Sequence, residues 1–283
     1  TSTVDTNANT LTLGGVVSGS GTLTKIDTGT LSLTGDNTYT CDSGTAPSLT
    51  DSNGITPMDF LPPARQAEIR AIADKQQKDV RNALVKNRNK IFAIHLIKTL
   101  HGQIDELVTQ VSKRPDVYFD CKPGCTYCCN FRIETVAPEV FIIARRLKQL
   151  PPEQLGAMIE RLREHAARAA GVRSDDFVMV CPMLENERCT VYEDRPTLCR
   201  KYLSLSVEEC AKVGQSAPED GELSLKGTAL LGGTLKGYEQ AKRPLPVHEL
   251  GQALLVALTD PTCEDRWYKG ETVFPVIPEA LDA

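Results

Sequence analysis

The sequence predicts a mainly α-helical domain with irregular cysteine-rich metal-binding loops, preceded by a short N-terminal β-repeat-like tail. Three observations predict this fold class: apolar residues recur with helical spacing after residue 63, eight of the ten cysteines lie between Cys121 and Cys210, and short Thr/Leu alternations fill the N-terminus. The chain has 283 residues, of which 41% are hydrophobic, which is enough for a substantial core.

Charge and hydropathy give no sign of a globally basic nucleic-acid-binding protein or of a membrane-spanning protein. The net charge of −5 gives no global nucleic-acid signature, although an unknown protein partner remains compatible with it. No apolar run approaches the length of a membrane span, and no leader with a charged and then an apolar region is visible. We therefore expect a soluble protein whose cysteine domain is cytoplasmic.

The N-terminal tail has its own composition. Thr, Ser, Gly and Asn occupy 30 of the first 50 positions, and the pair Leu11/Leu13 recurs 20 residues later as Leu31/Leu33. This pattern predicts short strands that repeat like the rungs of a β-solenoid. We assign residues 1–40 to this segment and residues 41–63 to a linker. One rung cannot bury its apolar face, so a Thr/Gly-rich tail without a fold is the alternative.

Helical patterns begin at Ala64 and define a domain over residues 64–283. Apolar spacing predicts two helices, or one interrupted helix, as far as Lys113, and Arg114-Pro115 ends it. Further helices are predicted over residues 138–150, 152–170, 225–242 and 247–259. His165 lies in a predicted helix rich in Arg and Glu, and is interpreted as solvated; His248 is a spare candidate for a metal ligand.

The clustered cysteines form two motifs. The first is Cys121-Lys-Pro-Gly-Cys125-Thr-Tyr-Cys128-Cys129, and the second contains Cys181, Cys189, Cys199 and Cys210. Thiolates are soft ligands for zinc or iron–sulfur centres, and a gap of two or three residues lets a turn direct two sulfurs at one ion. Neighbouring side chains of an extended backbone point apart. The adjacent Cys128 and Cys129 therefore predict either two nearby centres or one ligand beside a structural or redox thiol.

Four disulfides are the alternative use of eight clustered cysteines. No secretion signal is visible, and the domain is large enough to fold without such crosslinks, which favours metal binding. Cys41 and Cys263 lie outside both motifs and are predicted to be free thiols.

The segments CKPGCTYCC and CPMLENERCTVYEDRPTLCRKYLSLSVEEC resemble the YkgJ-type cysteine-cluster family, the CxxCxxCC domain described as zinc- or iron-chelating. The resemblance implies a site for zinc or iron, with an iron–sulfur cluster as a further option. It implies the following metal ligands: Cys121, Cys125, Cys128, Cys129, Cys181, Cys189, Cys199 and Cys210. Some relatives are called iron–sulfur oxidoreductases, and a related domain occurs in flagellin lysine methylases. Whether this chain is an enzyme therefore stays open.

Three further residues surround these cysteines in sequence. Arg195 and Arg200 flank Cys199, where they could lower the pKa of a thiolate or neutralise an anionic cluster, or simply form structural ion pairs. Tyr192 is predicted to pack in the core.

The N-terminal segment GVVSGSGTLTKIDTGTLSLTGDNTYT resembles the autotransporter passenger-associated repeat of exported bacterial β-helices. This resemblance suggests export, and with it a third function, an exported disulfide-bonded interaction protein.

Overall fold

The computed structural model describes residues 61–122, 124–212 and 217–278 with their side chains. For residues 2–5, 10–13, 23–26 and 30–33 it describes the backbone alone. The chain divides into two compact units, Thr1–Gly44 and Thr45–Ala283. Nearly all of the predicted linker, and Cys41 with it, lies outside the described residues.

The described residues of the first unit form four short strands. They are β1 (Ser2–Asp5), β2 (Thr10–Leu13), β3 (Leu23–Ile26) and β4 (Thr30–Leu33). Strand β1 pairs in parallel with β3, and β2 pairs in parallel with β4. Leu11 lies opposite Leu31, and Leu13 opposite Leu33, which is the register that the 20-residue spacing of these leucines requires. Whether this unit is a solenoid repeat stays a prediction.

The described part of the second unit is mainly helical, which confirms the predicted class. Its helices are α1 (Pro63–Lys86), α2 (Lys90–His95), α3 (Ile97–Val111), α4 (Ala137–Leu147), α5 (Pro152–Ala169), α6 (Thr197–Lys201), α7 (Val207–Cys210), α8 (Gly221–Gln240), α9 (Leu250–Thr259) and α10 (Cys263–Tyr268). Its strands are β5 (Glu134–Val136), β6 (Leu184–Glu185), β7 (Arg188–Cys189) and β8 (Val247–Glu249). No described helix is both long and apolar enough to cross a membrane.

Two predicted helix starts were wrong by several residues. Helix α8 begins at Gly221 rather than at residue 225, because the Asp220 carboxylate accepts hydrogen bonds from the backbone N–H of Glu222 and Leu223 at 3.0 and 2.9 Å. Residues 247–249 form β8 instead of the first turn of α9, because they pair antiparallel with β5. The interruption predicted before Lys113 is real, since α1, α2 and α3 follow one another there.

Helices α1 and α8 pack closely because two glycines of α8 face α1. A Cβ atom at Gly233 would lie 2.4 Å from the carbonyl oxygen of Ala73, and one at Gly237 would lie 2.7 Å from the Cβ atom of Val80. The side chain of Gln76 adds a buried hydrogen bond to the hydroxyl of Thr234, at 3.0 Å. Helix α1 therefore packs as part of this unit.

Strands β5 and β8 form an antiparallel pair, and each of them runs directly into a helix. Thr135 lies opposite His248, and the chain continues from β5 into α4 and from β8 into α9. Helix α4 is almost wholly buried, and the ring of its Phe141 contacts those of Trp267 and Phe274, with centroids 5.5 and 5.3 Å apart. Cys181, Cys189 and Cys199 pack against this core.

Candidate metal centre

All eight clustered cysteines are free thiols, and so is the buried Cys263. Cys121 is exposed, whereas the other seven clustered cysteines are partly buried. The first motif lies between α3 and β5, and the second lies on loops, a hairpin and short helices between α5 and α8. The tertiary structure must therefore bring the two motifs together across more than 50 residues of chain.

Three thiols form what we call the outer set: Cys121, Cys125 and Cys210. The thiol of Cys121 interacts electrostatically with the other two and with Cys128. The connection depends on Asp120, whose backbone N–H donates to the carbonyl of Ser204 at 3.0 Å and whose carboxylate accepts from the N–H of Val207 at 2.9 Å. These bonds hold the start of α7, and hence Cys210, beside the first motif.

Three other thiols form the inner set: Cys181, Cys189 and Cys199. All three pack against the main hydrophobic core, and the Cys199 thiol interacts electrostatically with the other two and with Cys128. The backbone N–H of Cys181 donates to the carbonyl of Cys129 at 2.7 Å, which ties this set directly to the first motif.

Cys128 and Cys129 lie where the two sets meet. Cys128 interacts with thiols of both sets and forms a side-chain hydrogen bond with Cys129. Electrostatic interactions thus connect Cys128 to both groups of three, whereas Cys129 is connected through Cys128 and through the bond of its carbonyl to Cys181. Among the described residues, no three Cys, His, Asp or Glu side chains already stand in the arrangement of a formed metal site.

The thiols are crowded and resist ionisation. Burial raises the pKa of Cys181 to about 12, and the neighbouring Cys189 adds to this effect because two thiolates would repel each other. Burial likewise raises the pKa of Cys199 far above its usual range. The hydrogen bond with Cys129 is the main cause that raises the pKa of Cys128. A bound cation removes this repulsion and deprotonates its thiols, so the donor set suits a soft divalent metal.

Positive charge is present beside the inner set. Burial raises the pKa of Cys189, but the guanidinium groups of Arg195 and Arg146 oppose this rise. Arg195 also stacks over the ring of Tyr192 at 4.0 Å. Tyr192 is 57% exposed, so its predicted place in the core was wrong: its ring lies on the surface beneath that guanidinium.

Arg200 forms a structural ion pair, which was one of the roles predicted for it. Its guanidinium is buried, donates to the carboxylate of Asp105 at 2.6 Å and to the carbonyl of Arg195 at 2.9 Å, and so braces the segment that precedes Cys199.

Glu139 was not predicted as a functional residue: its buried carboxylate anchors the segment carrying Cys199. One of its oxygens accepts from His101 Nε2 at 2.9 Å, and from the backbone N–H and hydroxyl of Thr197 at 2.7 and 2.6 Å. The other accepts from the hydroxyl of Thr135 at 2.9 Å. Thr197 is the first residue of α6, so these bonds fix α6 to the core. A Glu in the first turn after a Thr-containing strand was the available signal, since it is typical of a helix cap.

A second buried His–Glu pair corrects the interpretation of His165. Its Nε2 atom lies 3.1 Å from a carboxylate oxygen of Glu249, and its ring packs against Gly251, where a side chain would leave no room. The expectation that His165 is solvated was wrong. His165 lies on the same face of α5 as Met158 and Leu162, and all three side chains are buried.

His248 is also buried. Its Nδ1 atom lies 2.9 Å from the carbonyl oxygen of Pro275, and its ring packs on Phe274. The structure therefore shows it as a packed core histidine.

Residues 120–217 match a family model named CxxCxxCC, whose description is "Putative zinc- or iron-chelating domain". The matched range contains all eight clustered cysteines. No curated protein and no solved structure matches the chain. Together with the grouped thiols, the family match supports metal binding, of the zinc- or iron-chelating kind, as the general activity of this part of the chain.

Proposed function

We propose that this protein binds zinc or iron through the eight clustered thiolates, as two neighbouring centres. The observation that supports the proposal is the grouping of the thiols, because residues far apart in sequence interact electrostatically in two sets, each of which also includes Cys128. Each set has three thiols, and each member of the adjacent pair would complete one set as its fourth ligand, which matches the coordination number of a structural zinc site.

The chemistry of the surroundings supports this assignment. Four thiolates around a divalent ion carry a net negative charge, and Arg195 and Arg146 supply opposite charge beside Cys189. The YkgJ-type resemblance of the two motifs points the same way. A bound ion would crosslink loops that have little regular secondary structure of their own.

Metal analysis of cysteine variants tests the ligands and their partition. The full chain, purified without oxygen, is expected to hold two metal equivalents by elemental analysis. Cys121→Ser and Cys199→Ser should each lose one equivalent, and the double variant should lose both. Pairs within one set, such as Cys121→Ser with Cys210→Ser, should lose no more than either single change. The control is Cys41→Ser, which removes a thiol outside both motifs.

Unchanged metal content in both Cys121→Ser and Cys199→Ser would refute the ligand assignment. Loss of both equivalents in every single variant would instead indicate one joint centre.

An iron–sulfur centre, and with it an oxidoreductase or a cluster-assisted protein-modifying enzyme, is the second candidate. The backbone N–H of Ser204 donates to the sulfur of Cys121 at 3.3 Å, and hydrogen bonds to sulfur tune the potentials of such clusters. A brown protein with acid-labile sulfide and iron would favour this candidate. A colourless protein with stoichiometric zinc would exclude it.

We also propose that the cysteine domain, residues 64–283, works in the reducing cytoplasm, and that residues 1–40 are an autotransporter-like repeat joined by the linker 41–63. The free thiols support the first statement, and the parallel pairing of Leu11 with Leu31 supports the second. Thiol titration of the denatured, unreduced protein should find ten free thiols. A titre near two would favour the exported, disulfide-bonded alternative.

A further inference from the structure

Resting on the proposed function, we infer that the two centres have different roles. The inner set forms a structural centre that is part of the fold. The outer set forms an exchangeable centre at the surface, which releases its ion to an external thiol- or nitrogen-donor acceptor without unfolding of the chain. The two sets differ in how they are anchored to the hydrophobic core.

The inner thiols are built into the core. All three contact the main hydrophobic cluster, and hydrogen bonds to buried residues fix the segments that carry Cys189 and Cys199. Cys189 belongs to the β6–β7 hairpin, where the backbone N–H and the hydroxyl of Thr190 both donate to the carbonyl of Met183, at 2.9 and 3.0 Å. Met183 is only 1% exposed, so this hairpin cannot move without disturbing buried residues.

Cys199 has the firmest anchor. Its helix, α6, begins at Thr197, which gives two hydrogen bonds to the wholly buried carboxylate of Glu139. His101 and Thr135 bind the same carboxylate from α3 and β5, so the position of Cys199 is determined by three separate core elements. A carboxylate held in this way costs much to leave unpaired, which makes α6 hard to detach.

The outer thiols are anchored differently in the described part of the chain. The backbone N–H of Ser204 donates to the sulfur of Cys121, and Asp120 bonds to Ser204 and Val207. Cys121 is exposed, and none of the three outer cysteines belongs to a described hydrophobic cluster. Cys125 lies in a turn with Gly124 at a φ of +89°, and Cys210 ends the single turn α7, which is capped by Ser206. Cys121 is the exposed member of the eight clustered cysteines, so the outer set is the one that an external acceptor can approach.

The test uses the zinc-loaded full chain and the chromogenic chelator 4-(2-pyridylazo)resorcinol as the acceptor. Zinc transfer is followed by absorbance while far-ultraviolet circular dichroism follows the helices. We expect two kinetic phases of one equivalent each: a fast phase with no change in helicity, and a slow phase that coincides with loss of helicity. Cys121→Ser should abolish only the fast phase.

Thr197→Val supplies a second test that does not remove a ligand. It deletes one hydrogen bond to Glu139, which fixes the helix that carries Cys199. Since loss of a group that orients a metal ligand weakens metal binding by about 10–100-fold, the slow phase should accelerate by about tenfold while the fast phase stays unchanged. Thr197→Ser retains the hydroxyl and should release zinc like the wild-type protein.

Three results overturn the inference. Release of two equivalents in one phase, loss of helicity during the fast phase, or survival of the fast phase in Cys121→Ser would each contradict the assigned roles while leaving metal binding intact. A wild-type protein that holds fewer than two equivalents before the chelator is added would refute the two-centre proposal itself, which separates the two kinds of failure.

Discussion

The side chain of Thr197 connects a buried charge to the segment that bears a proposed metal ligand. Because the carboxylate of Glu139 has no access to water, each donor that it loses leaves part of its charge uncompensated. We expect Thr197→Val to lower the free energy of unfolding by about 1.5–3 kcal/mol, the range for a hydrogen bond to a charged group. Urea denaturation measures this change. Thr197→Ser, which keeps the donor, should stay close to wild type, and equal losses in both variants would contradict the role of the hydroxyl.

His248 gives a prediction for pH. Burial lowers its pKa below the ordinary value of 6.5, although the carbonyl of Pro275 partly opposes this. The unfolded chain therefore binds this proton more readily than the folded one, so the stabilisation that His248 provides is complete above pH 6.5 and is lost as the pH falls through the lowered pKa. The free energy of unfolding of the metal-loaded protein, measured by urea denaturation between pH 7 and pH 5, should fall less steeply in His248→Gln than in the wild-type protein. Parallel profiles would contradict the assignment.

The elements are held together at close approaches that leave room only for glycine. Gly232 and Gly233 are neighbours in α8, but a Cβ atom at Gly232 meets nothing within 4 Å, whereas one at Gly233 would overlap the backbone of α1. Gly232→Ala should therefore raise the free energy of unfolding by about 0.5–1 kcal/mol through helix propensity. Gly233→Ala should lower it by about 1–3 kcal/mol through overpacking. Thermal or urea denaturation distinguishes the pair, and a change of the same sign in both would show that α1 does not pack as described.

The helices and strands that the sequence did not predict are short. Helices α6 and α7 have five and four residues, too few for an apolar period to be seen, and α6 owes its place to Glu139. The long helices were predictable because their buried residues recur at helical spacing over three or more turns. Strand β8 was not, because it exists only through its pairing with β5.

For the whole molecule, the division into two units gives a further prediction. All eight clustered cysteines lie in the unit Thr45–Ala283. A shortened chain that begins at Leu61 should therefore fold and bind as many metal equivalents as the full chain, as measured by elemental analysis and circular dichroism. Loss of metal from the shortened chain would show that the N-terminal unit contributes to the site.

The sequence by itself determined the class of fold and identified the candidate metal ligands. Eight soft thiols in two motifs, and helical periods around them, depend on residue identity and spacing alone, and both survive in the structure. The tertiary structure decided which thiols are neighbours, because Cys181, Cys189 and Cys199 meet Cys128 only after the chain has folded. It also decided the roles of His165, Tyr192 and Glu139. The burial of a polar side chain depends on the partner that faces it, and that partner is 84 residues away for His165 and 58 for Glu139.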